Sequence, residues 1–374
     1  MTDLNVDLFA GPGGWSEAMR ALGLREIGLE WDTAACRTRA AAGHPTIQCD
    51  VAAYPTEPFK GRVKGLIGSP PCQAWSRAGK GLGLKDQPLV HHAVHDLAQG
   101  RDTRLKLLAA CKDGRSLLAA EPMRWLYDLR PEWTAMEEVP DVLPLWKQYA
   151  EVLRGWGYSV WCGELNAANY GVPQTRRRAI LIASRVRSVT APAPTHTQRP
   201  SGDDLFGESL HGWVSMAEAL GWGATDRVSP TVTAGGGKSG GAEPYPSQAR
   251  QILLDAQRRG AWVLRNGNQP RATTRTLSEP APTIAFGNNS ARIEWVRDQG
   301  VAEEESVRIA VHEAAILQSF PADYPWQGTK TKQFEQVGNA WCPRAAAALV
   351  GAATGVEWQP LVARYYGEQK ETAA

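Results

Sequence analysis

Through the first 185 residues, short apolar runs alternate with segments of helical period. The runs are Asn5–Phe9, Ile27–Glu30, Thr46–Asp50, Val63–Ile67, Trp133–Val139 and Val160–Leu165. Each is short enough to be a buried strand. Between them, Ser16–Leu22 and Ser116–Leu129 carry helical periodicity, and a further helix ends over Val152–Tyr158. Strands alternating with helices predict βαβ units and a parallel sheet. Gly171–Ile180 is basic at its start and apolar at its end, and 87–112 reads as a polar segment. From about Val186 the helix signals thin out and Pro, Gly, Thr and Ser rise. Pro192, Pro194, Pro200 and Ser201–Asp204 read as a linker. Two similar pieces follow, Ser229–Gly237 and Ala281–Asn289, each a short strand running into a Gly/Asn loop. Glu303–Glu305 reads as a solvated helix start. Helical periodicity returns at Val311–Phe320 and Arg344–Val350, and the end frays from about Gly367.

Composition narrows the class. The 374 residues suffice for one large domain and a smaller one, and 43% hydrophobic with 21% charged residues describes a soluble globular chain. The six cysteines form no CxxC pair, so a reducing compartment is expected, with no disulfide framework and no structural zinc. No secretory leader is expected from the opening residues, and no apolar run reaches membrane-spanning length. A net charge of +2 does not announce a nucleic-acid binder, so any such surface must come from local clustering. Most of the 15 tryptophans are expected in the core.

The chemistry centres on Gly68–Ser76. Pro70 and Pro71 stop the Val63–Ile67 strand and fix φ at two successive positions, which puts Cys72 on a rigid turn. A thiol held there suits a nucleophile, although a buried structural cysteine is as consistent with this stretch alone. Near the start, Gly11, Gly13 and Gly14 allow a tight turn and close backbone approach at a helix N-terminus. Glu30, ending the next apolar run, suits ribose hydroxyls. Trp31 is placed to cover an adenine face and Asp50 to accept from an adenine amino group. Helix caps or solvated turns would also explain Glu30 and Asp50. Ala78–Leu84 is glycine-rich and is expected to be a mobile lid. His91 and His95 have helical i,i+4 spacing but no further Cys or His nearby, so a solvated helix face is preferred to a metal site. Glu137 and Glu138 end a predicted strand whose C-terminal edge would face Cys72. Arg176 and Arg178 alternate, and on a strand they point the same way. In the middle region, Arg258, Arg259, Arg265, Arg271 and Arg275, with Trp262 and Asn266, suit a DNA backbone and base edges.

Taken in order, these motifs resemble those of the DNA cytosine-5 methyltransferase family, over nearly the whole chain. Asp7–Gly14 is similar to the S-adenosylmethionine loop, Glu30 to the ribose-binding acid and Asp50 to the adenine-binding acid. Gly68–Gln73 resembles the catalytic cysteine motif, Glu137–Val139 the Glu-Asn-Val motif, and Gln174–Arg178 the Gln-x-Arg-x-Arg motif. Gln336–Ala340 resembles the last motif, which packs beside the first. One departure stands out: Glu138 occupies the usual Asn position. The segment 87–112 is also long for the family, so the lid is expected to differ.

The resemblance implies a Rossmann-like α/β fold with a mixed, mostly parallel sheet. The catalytic domain would span 1–185, a smaller target-recognition domain 186–310, and a returning segment 311–374. It implies Cys72, Glu137, Arg176 and Arg178 as catalytic residues. Cofactor contacts would come from Asp7, Phe9, Ala10, Gly11, Gly13, Gly14, Glu30, Trp31, Asp50, Val51, Pro70 and Asn339. S-adenosyl-L-methionine is the implied cofactor, no metal is needed, and the partner is double-stranded DNA. A monomer is expected, without membrane contact, in the cytoplasm of a prokaryotic or phage-infected cell beside the nucleoid. A cognate restriction enzyme is left open as a second partner. The implied chemistry adds the Cys72 thiolate to C6 of a flipped cytosine so that C5 becomes nucleophilic. Three rivals share parts of this pattern. A folate-dependent pyrimidine methylase would need no glycine loop. A tRNA cytosine methyltransferase of the same family would separate on an RNA substrate. A DNA-binding protein that retains the fold without turnover would fail to trap 5-fluorocytosine DNA.

Overall fold

The computed structural model describes residues 3–75, 82–200, 210–221, 262–267, 272–284, 293–297 and 307–372. Several sequence features lie outside the described residues: Ser76, 78–81 of the lid stretch, 201–204, 229–237, 285–289, Arg258, Arg259, Arg271 and 303–305.

The strands of the first half are β1 (Leu4–Leu8), β2 (Arg25–Glu30), β3 (Thr46–Gln48), β4 (Val63–Gly68), β5 (Trp133–Glu138), β6 (Ser159–Asn166), β7 (Gln174–Thr175) and β8 (Arg177–Ser184). All but β7 join one seven-stranded sheet in the order β3-β2-β1-β4-β5-β8-β6. β3, β2, β1, β4 and β5 pair in parallel, and β8 is antiparallel to both β5 and β6. The sheet is therefore mixed and mostly parallel, as expected. Strand order reverses between β1 and β4, and the C-terminal edge at such a switch point opens a crevice.

The apolar runs are nearly continuous because both faces of the sheet are covered. Leu66, Met136, Ala179 and Leu181 pack with the helices Leu82–Leu97, Glu121–Leu129 and Leu143–Gly155. Ile67, Trp133, Ala135, Ile180 and Ile182 pack on the other face with Gly14–Ala21 and Pro343–Thr354. This alternation has period two, so Glu137 and Glu138 leave β5 on opposite faces. Glu137 belongs to the face of Trp133 and Ala135, and Arg178 shares that face through Ile180 and Ile182.

The remaining strands are β9 (His196–Thr197), β10 (His211–Gly212), β11 (Trp262–Asn266), β12 (Thr273–Thr276), β13 (Ala281–Pro282), β14 (Ile293–Arg297) and β15 (Val307–Arg308). β12-β11-β14-β15 form a small antiparallel sheet, and β9 pairs with β10. β13 pairs in parallel with β7, and Thr283 Oγ1 donates to the Thr175 carbonyl at 2.8 Å, which ties this region to the main sheet. A third core joins Leu264, Ile293, Trp295 and Ile309 to Ala314, Leu317, Phe320 and Val337, so it runs across residue 310.

Three local expectations change. The tail continues as a helix, Trp358–Thr372, rather than fraying at Gly367, because Val362 is buried and two tyrosines anchor it. Tyr365 donates to Glu17 at 2.7 Å and Tyr366 to the Ser319 carbonyl at 2.6 Å. The stretch expected as a mobile lid is already helical from Leu82, and Gly83 packs so closely on the Ala74 carbonyl that a Cβ would sit 2.8 Å away. The segment 87–112 is not simply polar: Val90, Ala93, Val94 and Leu97 are buried in the core. Tryptophans are mostly core, including Trp75, Trp125, Trp146 and Trp295. Among the described residues, no helix is long and apolar enough to cross a membrane.

Candidate active site

The turn after β1 is built by backbone geometry that ordinary residues avoid. Phe9, Gly11 and Gly13 have φ of 61°, 53° and 110°. Glycine accepts such angles freely, and Phe9 accepts them only because the surroundings enforce the turn. Glu30 is one enforcer: its carboxylate accepts from Gly11 N and from Asp32 N, each at 2.7 Å. Burial pushes its pKa up. Gly14 begins the following helix, and a Cβ there would lie 2.1 Å from the Trp341 carbonyl oxygen. Only glycine lets the segment after Asn339 pack on the first turn. Tyr324 clamps the same turn by donating to the Pro12 carbonyl.

A cavity of about 910 Å³ opens at this edge of the sheet. Phe9, Ala10, Gly11 and Gly14 line it from the turn, and Glu30, Trp31, Asp50 and Val51 from the ends of β2 and β3. Pro70 and Cys72 line it after β4, and Asn339 borders it from the C-terminal part. Trp31 is 70% exposed on its rim. Two expected cofactor contacts do not line it. Asp7 lies wholly buried inside β1, where Glu26 and Arg39 face it and burial pushes its pKa well up. Gly13 packs instead on Tyr324 and His44.

The catalytic candidates converge at the other end of the cavity. Cys72 opens a one-turn 3-10 helix, Cys72–Ala74, after Pro71. Its thiol is pushed up to about 11, first by burial and then by the charge of Glu138. Arg178 Nε meets Glu137 Oε1 at 2.8 Å, as their shared face requires. Arg176 is fully buried and donates to the Gly338 carbonyl at 2.9 Å and the Ile284 carbonyl at 3.5 Å. It therefore joins the main sheet to both later regions. Burial pulls its pKa down to about 10. Glu138 is 1% exposed; one oxygen accepts from Val139 N and the other has no partner among the described residues. Burial first, then Glu137, raises its pKa well above the usual range. All four charged residues line the cavity with Cys72.

Several further residues line the cavity. Ser69 accepts from Trp15 Nε1 at 2.9 Å and so braces the cysteine turn against the first helix. Asp102, Arg104, Leu105 and Leu108 reach the cavity from the segment read as polar, where unusual length is the sole hint, and Arg115 reaches it from just beyond. Elsewhere, His91 bonds Gln148 at 2.6 Å, and His95 sits exposed beside Asp96 and Gln99. In the middle region, Arg275 pairs with Glu279 at 3.2 Å and Asn266 donates to the Thr283 carbonyl at 2.9 Å.

A Rossmann-like sheet whose switch-point cavity holds a glycine turn at one end and a cysteine, two carboxylates and two arginines at the other defines a methyltransferase-type nucleotide enzyme. The model of the C-5 cytosine-specific DNA methylase family matches residues 5–95 and 107–354. The chain belongs to that family and is a DNA (cytosine-5)-methyltransferase. It is 26% identical to the Type II methyltransferase M1.HphI of Haemophilus parahaemolyticus, over 93% of this chain and 85% of that protein. It is also 26% identical to the Type II methyltransferase M.DdeI of Desulfomicrobium norvegicum, over 92% and 86%. Among solved structures, the fold is similar to S. pombe Dnmt2 methyltransferase at TM-score 0.58 and 14% identity, covering 94% of this chain and 98% of that one. It is also similar to an Escherichia coli prophage DNA modification methyltransferase at TM-score 0.54 and 18% identity, covering 94% and 99%.

Proposed function

We propose that the protein methylates C5 of cytosine within a specific duplex DNA sequence, with S-adenosyl-L-methionine as donor and a covalent Cys72–C6 adduct on the path. The observation that carries the reading is the shared cavity: Cys72, Glu137, Arg176 and Arg178 lie in one space with the glycine turn, Glu30, Trp31 and Asp50.

The residues fit the cofactor. The turn offers backbone at a helix N-terminus without side-chain obstruction at Gly11, and Glu30 and Asp50 present carboxylates for ribose and adenine. When bound, S-adenosylmethionine supplies the electrophilic methyl group. The chain's own residues prepare the base. C5 of cytosine is a poor nucleophile until C6 is attacked, so the Cys72 proton passes to solvent water and the thiolate forms a C–S bond at C6. The electron pair displaced from the C5–C6 bond then makes C5 nucleophilic, while Glu137 holds the N3/N4 edge and assists protonation of N3 by a proton drawn from solvent. Arg178, held by Glu137, and Arg176 offset charge developing at the O2 edge. Loss of the C5 proton and breakage of the C–S bond restore Cys72. The base must leave the duplex stack to reach a thiol recessed in this cavity.

Residues 186–310 are the target-recognition region in this reading, which is supported by β9 to β15, all of which lie outside the seven-stranded sheet. The test is tritiated methyl transfer to unmethylated genomic DNA and to tRNA, with Cys72→Ala alongside and bisulfite sequencing of the DNA. DNA-only transfer, lost in the variant and mapped to one sequence context, supports the reading. Transfer confined to RNA, or transfer surviving in Cys72→Ala, overturns it.

A further inference from the structure

The family match passes over residues 96–106, yet part of that stretch lines the cavity. We propose that Leu105 is a cofactor-binding residue, closing over the adenine ring with Trp31, and that Arg104 is the positioning residue that holds it there. The inference rests on the S-adenosylmethionine reading.

Three observations support it. First, Leu105 is 86% exposed and lines the cavity, as does Trp31 at 70%. Leaving two large cavity-lining apolar side chains in water forfeits burial that a flat ring placed against them would recover. Second, the stretch is anchored at the adenine end. Arg104 Nη1 donates to the Ala52 carbonyl at 3.0 Å, two residues beyond Asp50. Third, the anchor is braced. The same guanidinium pairs with Asp102 at 2.6 Å and with the buried Glu121. Glu121 in turn meets Arg124 at 3.1 Å, and Arg124 donates to the Val51 carbonyl at 2.7 Å. Two arginines thus fasten the stretch and the Glu121–Leu129 helix to consecutive carbonyls, Val51 and Ala52. The short helix Arg104–Leu108 emerges from this anchor, and Leu105 and Leu108 both border the cavity.

Leu105 makes its contact only with ligand, so its truncation leaves the free fold intact. The experiment measures Kd for S-adenosylhomocysteine by calorimetry on the full chain, with Leu105→Ala, Arg104→Gln and Val186→Ala. Val186 is another exposed apolar residue, away from the cavity. Leu105→Ala is expected to raise Kd roughly tenfold, which corresponds to the loss of part of one leucine's burial. KM for S-adenosylmethionine should rise in step while DNA affinity and melting temperature stay at their unsubstituted values. Arg104→Gln should raise the same Kd, and adding Leu105→Ala to it should cost little more, because both act through one contact. Val186→Ala should change nothing. An unchanged Kd in Leu105→Ala, with normal binding by the unsubstituted protein, overturns the inference alone. No binding by the unsubstituted protein overturns the cofactor reading and this inference with it.

Discussion

Glu138→Gln should stabilise the protein, and by more as pH rises. In the folded chain this carboxyl is almost wholly buried among Glu137, Arg176, Arg178 and Cys72. Burial, then Glu137, raises its pKa well above the ordinary value of 4.5, and the Val139 N–H and the two arginines offset only part of that. In the unfolded chain it releases its proton near 4.5. From that value up to the raised one, the native state therefore holds one more proton than the unfolded state. The stability linked to that proton is fully present below 4.5 and drains away as pH climbs toward the folded value. Between the unfolded and the folded value the slope is about 1.4 kcal/mol per pH unit. Glutamine keeps the shape, still accepts from Val139 N, and has no proton to lose. Asp7, also buried with a raised pKa, contributes equally to both proteins and cancels. Urea unfolding of the two proteins at pH 6, 7 and 8 measures the effect, and the gap in midpoint should widen at each step. Parallel pH profiles would refute the reasoning, since they would mean that Glu138 ionises in the fold as it does in water.

Two further outcomes follow from the same geometry. Gly14→Ala sets a Cβ against the Trp341 carbonyl backbone, which cannot yield as a flexible side chain would. It should cost about 1–3 kcal/mol or more and weaken cofactor binding, readable by thermal melting with and without S-adenosylhomocysteine. A thiol pushed up to about 11 means that kcat/KM for DNA should climb toward tenfold per pH unit from pH 6 to 9; a plateau already reached at pH 7 would show that Cys72 is ionised in the free enzyme.

The candidate site was legible where one local pattern implies one chemistry. Pro70-Pro71-Cys72 ends a strand whatever surrounds it, and the glycine turn demands positive φ wherever it sits. Asp7 belongs to the same motif string as the turn, yet strand alternation sends its side chain away from the cavity toward Arg39. Register decided another question. Nothing in Glu137-Glu138 says which carboxylate meets an arginine; pairing of β5 with β8 puts Glu137 and Arg178 on one face. Arg176 looked like the twin of Arg178, yet it became the buried tie between the sheet, Gly338 and Ile284.

By itself, then, the sequence determined the alternation of strands and helices, the class of sheet, and which cysteine, glycine turn and charged residues to look for in one cavity. Those depend on period, backbone restriction and intrinsic reactivity, which travel with a few neighbouring residues. Tertiary structure alone decided that Asp102, Arg104 and Leu105 wall the cavity, that Gly14 must accommodate Trp341, and that burial pushes the Cys72 thiol and the Glu138 carboxyl up. Each of these depends on atoms far apart in the chain brought within a few ångströms, and on the water that their packing excludes.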